Sequence, residues 1–493
     1  MRRFSRRTAL RAAATGAAGL ATTAALAGCG ETEVVEVEKV VTVQVAGETQ
    51  IVEVEIPGEA TVTERVVTIE VPVAAPAPVT QVTNIWFNQA TQQENFEKNV
   101  VGHYHRQQDA FKLDPILVPN NELNVKLTAA IASGTPPDVV RVGGPILMNN
   151  FFRRGVMHDM DQFDPEIQSK DFVPSIIQAL SWRGKMWAMP VNSGTMSLYY
   201  NADLYRAAGL DPDVPPDNTE ELFENASRVH SVGDEVTGMA FATKPIATTG
   251  ATSTGWSMRF GAHAVTADGT TTLFDSAEYA NYWGWIKRFV DAGTIQFKST
   301  DETGMTNDYG TGLLGHYAAY PSRLQNSVQN LGIEVGRVAL LPRGPLSNLN
   351  PIGCGALQMP VGGKNPEGGW HFTDFIGNDP ENDSIWCTAF GQIPPRFSFR
   401  DSIVYTAYRN AIPGTEPFIE GQKNSYAHYF GPGTAEIWTQ FAKIQEAVIL
   451  AGADIQETQA QFNSEAQAIL DRALETDEPI SSNPFPELAG GYL

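Results

Sequence analysis

Hydrophobic positions along this chain fall into three regimes. Residues 1–30 open with a basic stretch and continue as a weakly apolar run of Ala, Gly and Thr. Residues 31–83 alternate Val with Glu or Thr at the two-residue period of a strand. From Asn84 onward the period switches repeatedly between two and 3.6, as alternating strands and helices require. The pattern predicts a strand over 82–87, a helix over 94–112, a strand over 115–119 and a helix over 121–133 that places Leu123, Leu127, Ala130 and Ile131 on one face. Gly134-Thr135-Pro136-Pro137 stops that helix. The apolar run 138–142, bounded by turns, suits a buried parallel strand. Further helices are expected near 220–231, 276–292, 368–376, 435–452 and 454–475. Such alternation predicts an α/β fold with a mostly parallel sheet covered on both faces. Roughly 400 residues follow Asn84 without a second linker, more than one ordinary core holds, so two lobes are expected.

The first regime reads as an export address. Basic residues, an apolar run and a small-residue processing site form a secretory signal, residues 1–28, with too little apolar length for a membrane span. Ser5-Arg6-Arg7-Thr8-Ala9-Leu10-Arg11 resembles the twin-arginine motif, apart from Ala9 where Phe is usual. Leu26-Ala27-Gly28-Cys29 resembles the lipobox of bacterial lipoproteins, which implies lipidation of Cys29 and anchoring on the outer face of the cell membrane. Residues 29–83 then form a Val/Glu-rich stalk or linker. No aromatic residue occurs in 31–83, so a core of its own is hard to build, and Pro72, Pro76 and Pro78 stiffen its end. As a flexible coil, about 50 residues span on the order of 40 Å. A small self-pairing β-repeat is the competing reading.

Charge narrows the partners. Losing residues 1–28 removes five arginines and moves the net charge from −22 to −27. A chain this acidic is repelled by nucleic acid, which excludes that class of partner. Beyond Cys29 only Cys354 and Cys387 remain. Two thiols build no disulfide framework; a single bridge between them stays open, and folding in the reducing cytoplasm before twin-arginine export would leave both free and buried.

Several segments, in order, resemble extracellular solute-binding proteins of the carbohydrate type, which serve ABC importers. The stretch LTAAIASGTPPDVVRV, residues 127–142, resembles that family's helix, Gly-Thr turn and strand. Within residues 182–211 the matching positions are Gly184, Lys185, Trp187, Pro190, Tyr200, Asn201 and Ala208-Gly209-Leu210. Pro215-Pro216 before Thr219, Glu220 and Leu222 fits the next helix start, without the usual aromatic after Thr. Segments 238–242, 310–321, 340–342 and 355–376 also fit. The resemblance implies a two-lobed periplasmic-binding-protein fold, type II-like, with ligand in the interlobe cleft. It implies an N-terminal lobe of 84–191 plus 352–392, a C-terminal lobe of 192–351 plus 393–480, and a tail over 481–493. It further implies no catalysis, no cofactor, a monomer, and delivery of a captured sugar or oligosaccharide to permease subunits.

A sugar site needs flat apolar faces and directional hydrogen bonds. Candidates just after strands are Trp86, Asn88 and Gly144. At the crossings they are Asn192, Ser193, Gly353 and Arg396; elsewhere they are Trp256, Tyr320, Ser322 and Arg323. Several have a plainer reading: Trp86 and Trp256 as core, Gly144 as a turn, Tyr320 as part of a loop, Arg396 as the partner of a surface acid. Gly310-Thr311-Gly312-Leu313-Leu314-Gly315 matches a dinucleotide pattern, but no βαβ unit surrounds it; the resemblance implies a helix-to-strand turn there instead. His103 and His105 lack a third ligand at metal spacing and are read as a solvated helix face. Two alternative functions stay open: an exported carbohydrate-active hydrolase using paired carboxylates, and a receptor for a non-sugar polar solute.

Overall fold

The first strand forms over Gln81–Phe87 in a computed structural model that describes residues 81–87, 95–295, 301–427 and 431–479. All of these lie in the second of two compact units, Val79–Leu493. Expectations for the signal, Cys29, the stalk as far as residue 80, Asn88 and the tail 481–493 fall outside the described residues, while residues 81–83, expected in the stalk, already belong to the first strand. Thr83, Ile85 and Phe87 are buried while Val82 is exposed, as a period of two dictates. Phe87 stacks on Phe96 at 4.1 Å between ring centroids, which ties the strand to the helical segment that follows.

The first sheet runs, in order, Phe111–Leu117, Gln81–Phe87, Val139–Gly143, Gly355–Gln358 and Met189–Pro190. Its first three strands are parallel. Gly355–Gln358 is antiparallel to both of its neighbours. The expected mostly parallel sheet is therefore mixed, because the chain re-enters from the carboxyl ends of the parallel strands and must run backwards. The second sheet, Gly336–Leu340, Ser197–Asn201, Leu314–Ala319 and Thr237–Met239, is mixed for a similar reason.

The second strand starts earlier than its apolar run suggests. The preceding helix ends at Gln107. Gln108 then closes a turn, its side chain donating to the Phe111 carbonyl at 2.7 Å and accepting from Phe111 N–H at 2.8 Å. Phe111 and Leu113 point inward while Lys112 and Asp114 face solvent. As an edge strand it tolerates Pro115.

Motif residues do structural work. Asn201 caps the helix Ala202–Ala207 by accepting from Asp203 and Leu204 N–H at 2.9 and 3.1 Å. The Gly310–Gly315 run lies between the helix Glu302–Gly310 and the strand Leu314–Ala319, the reverse order to a phosphate-binding loop. His103 and His105 are not simply solvated. His103 Nε2 bonds Asn382 Oδ1 at 2.8 Å, and His105 Nε2 accepts from Leu113 N–H at 2.9 Å. Both Cys354 and Cys387 are free and buried.

His316, fully buried in the second sheet, makes an acid-sensitive joint. Its Nδ1 faces the Gly238 carbonyl at 2.7 Å and so donates; Nε2 then accepts from Tyr205 O–H at 2.8 Å. Burial drives its pKa down from 6.5 to about 4, the bond to Gly238 opposing this in part. Stability from the neutral ring is complete above pH 6.5 and is lost as pH falls through about 4. The expected loss approaches about 3 kcal/mol. Thermal melts between pH 7 and 4 should show this slope in the wild type and a shallower one in His316→Gln. An equal slope in both would exclude His316 as its source.

Candidate functional site

Three chain segments lie side by side at the junction of the two main sheets. The chain leaves the first sheet at Pro190 and enters the second at Ser197. It returns through Asn350–Gly353, which pairs antiparallel with the outgoing segment through Ile352↔Thr195 and Gly353↔Gly194. Residue 393 bridges to Ser193. Ser193 is fully buried and pins this third segment: its N–H donates to the Ile393 carbonyl at 2.8 Å, and its Oγ lies 3.1 Å from the Pro394 carbonyl. Gln422 Nε2 donates to the same Oγ at 3.1 Å.

Tyr320, at the end of a second-sheet strand, packs against this ribbon. A Cβ on Gly353 would lie 2.5 Å from its ring, and one on Gly194 would lie 2.6 Å from Pro321. Only glycine permits so close an approach. Beside Gly353 the next residues turn into the first sheet. Gly144 N–H donates to the Cys354 carbonyl at 2.9 Å, and Val191 N–H donates to the Gly355 carbonyl at 2.9 Å. Asn192 Oδ1 accepts from Gly355 N–H at 2.5 Å.

Arg141 completes the group. It sits on Val139–Gly143, opposite Leu357 and two positions from the Gly143↔Gly355 pair, so its side chain and Gly355 share one face of the sheet. A Cβ on Gly355 would lie 2.5 Å from an Arg141 terminal nitrogen and 2.9 Å from Asn192 Nδ2. Burial lowers the guanidinium to about 10, Cys354 opposing the shift, so it stays charged at neutral pH. Burial also raises the Cys354 thiol to about 12 despite Arg141 nearby, which keeps it protonated and a poor nucleophile.

The sequence candidates divide accordingly. Gly144, Asn192, Gly353 and Tyr320 converge at this junction, and Ser193 lies beside them as a pin rather than an open surface. Trp86 is in register with Val140, which puts it on the sheet face opposite Arg141. Trp256, read as ligand-facing, is instead a core side chain, 3 % exposed and packed on Phe241 and Trp285 at 6.2 and 5.5 Å. Arg323 is engaged by Glu302 at 3.1 Å and Thr303 at 3.2 Å, with Ser322 half-buried beside it. Arg396 takes its plainer reading, donating to Asp171 at 2.8 Å and lying over Phe399 at 4.2 Å. Burial alone would raise the Asp171 carboxyl; bonds from Arg396 and Ser398 outweigh it and hold it at about 2. Arg141 and Gly355 were not among the candidates. The available signal was one arginine inside the otherwise apolar run Val139-Val140-Arg141-Val142.

Two α/β sheets joined by side-by-side crossings, with polar groups gathered at the junction, define the two-lobed periplasmic-binding-protein fold. Residues 99–413 match the bacterial extracellular solute-binding protein family, and the chain belongs to it. A binding protein of Brucella abortus (strain 2308) is 26 % identical over 269 residues, covering 53 % of this chain and 63 % of the relative. The match thus spans less than two thirds of that relative's length. Among solved structures, UgpB from Mycobacterium tuberculosis in complex with glycerophosphocholine superposes with a TM-score of 0.70 at 20 % identity, over 81 % of this chain and 100 % of that one. The GacH receptor of Streptomyces glaucescens, solved unliganded and with acarbose, gives 0.70 at 17 % identity, over 80 % and 99 %. At these identities the likeness is one of fold.

Proposed function

We propose that this chain is the substrate-binding lipoprotein of an ABC transporter. In this reading Cys29 carries the lipid and residues 29–83 hold the receptor off the membrane. Closure of the lobes 84–191 plus 352–392 and 192–351 plus 393–480 then presents a captured solute to the permease. A sugar or oligosaccharide is the favoured solute. The observation that carries the reading is the gathering of Asn192, Gly353, Gly144 and Tyr320, from separate segments, where the chain passes between sheets. Ligands of open α/β folds bind at strand carboxyl ends, and hinge closure is a known response. Tyr320 supplies a flat face for a sugar ring, and Asn192 supplies a directional polar group. The acarbose bound by one superposed structure supports a sugar, and the glycerophosphocholine bound by the other supports the alternative of a non-sugar polar solute.

A thermal-shift panel of mono- and oligosaccharides checks this. Ligand binding only the folded state stabilises by mass action, about 2.7 kcal/mol at a hundredfold excess over Kd. At least one sugar should raise the melting temperature by several degrees. A response confined to amino acids or peptides would sink the sugar assignment. Release of reducing sugar from a glycoside panel would favour the hydrolase instead.

A further inference from the structure

Asn192 has an orientation fixed by one bond and half a side chain left over. Its Oδ1 accepts from Gly355 N–H, which decides the amide orientation and leaves Nδ2 as the other end. Nδ2 is buried without a hydrogen-bond partner, in a residue 3 % exposed. A buried donor left without its bond is costly, so an acceptor is favoured there. The Arg141 guanidinium reaches the same point above Gly355, and guanidinium nitrogens only donate. A second donor group therefore reaches the point where Asn192 Nδ2 lacks an acceptor, and it cannot supply one. A third feature has the same sign. The helix Pro145–Phe152 starts two residues beyond Gly143, the residue paired with Gly355, and no side chain caps its N-terminus. Its N-cap, Gly144, has φ 98°, a conformation L side chains rarely adopt. A helix N-terminus presents N–H groups and partial positive charge.

We propose that Arg141 and Asn192 together hold an oxyanion of the solute, so that the receptor selects an acidic sugar or polyol derivative over its neutral parent. This deepens the solute-receptor reading and rests on it. A carboxylate, a phosphate ester and a sulfate ester share the required chemistry: oxygens that accept from both groups, and a negative charge beside the fixed positive one. A neutral hydroxyl meets the hydrogen-bond need but not the charge.

The test is calorimetric titration of the full chain with glucose, glucuronate, glucose 6-phosphate and glucose 6-sulfate. At least one anionic member should bind ten-fold or more tightly than glucose, and which one identifies the oxyanion. Its affinity should fall as ionic strength rises, while that of glucose stays level. Asn192→Asp keeps the acceptor for Gly355 N–H but replaces the free amino group with a charged oxygen; it should weaken the anion at least ten-fold more than it weakens glucose. Arg141→Met should erase the difference between the two. If glucose binds as tightly as every anionic member, or the anion's affinity ignores both salt and Asn192→Asp, the inference is wrong while the solute-receptor reading stands. If no member of this panel binds, the inference falls, and the sugar assignment is decided by the broader thermal-shift panel. The salt series on the wild type decides the matter even where a variant fails to fold.

Discussion

Gly250→Ala is expected to destabilise the protein by about 3 kcal/mol, against the direction that helix propensity predicts. Gly250 lies inside the helix Ala247–Ser257, where alanine in place of glycine ordinarily stabilises by about 1 kcal/mol. Here the added Cβ would lie 2.1 Å from the Trp438 carbonyl oxygen and 2.9 Å from its carbon, both in the backbone of the helix Thr434–Leu450. No side chain can rotate away to relieve that contact, so the helices must separate. Trp438, 1 % exposed, packs on Phe441 and Phe274 at 5.7 and 6.0 Å, and separation loosens that cluster. Overpacking of a backbone contact therefore outweighs the propensity gain. Urea unfolding of wild type and variant measures the balance. A variant as stable as the wild type would mean that the helices do not cross in contact.

Arg259→Met should cost about 3–5 kcal/mol and free the segment 341–349. Arg259 is 1 % exposed and bonded to backbone carbonyls: Nε to Pro342 at 2.5 Å, one terminal nitrogen to Gly255 and Leu349 at 2.5 and 2.8 Å, the other to Leu341 at 3.4 Å. Burial lowers its pKa to about 9, with Tyr426 opposing, so it is still charged at neutral pH. Methionine fills much of the volume yet leaves those carbonyl oxygens without donors, and buried acceptors are expensive to strand. Proteolysis under native conditions should cut the variant between 341 and 349 before the rest of the chain unfolds. Resistance equal to the wild type would show that the segment is held by other contacts.

Fold class was legible because amphipathic period survives in single elements. The helix expected over 276–292 forms as Ala277–Asp291, and the one expected over 454–475 forms as Ile455–Leu474. The antiparallel return through Gly355–Gln358 was not legible, since strand direction depends on where the chain enters, which local pattern does not encode. The site was half legible. Polar residues at the Pro190–Gly194 crossing pointed to Asn192, but Ser193 beside it turned out to pin the crossings together. Trp256 misled because the Ser, Thr and Gly around it lie on a buried helix, where a polar sequence does not mean an exposed one. Arg141 was passed over because a strand's apolar average hides one charged member. Its meaning depends on Gly355 and Asn192, both far away in sequence.

The chemistry of the two buried thiols has a practical consequence. Cys354, pushed by burial to about 12, stays protonated at pH 7. Cys387 is buried and also raised, by burial first and by Asp383. Maleimide dyes attack thiolate that solvent can reach, so both native cysteines of Val79–Leu493 should stay unlabelled while the fold holds. With Cys29 blocked by its proposed lipid, a cysteine engineered at half-exposed Ser322, two residues from Tyr320, would then take the dye alone and convert solute capture into a fluorescence signal without removing a native residue from the core.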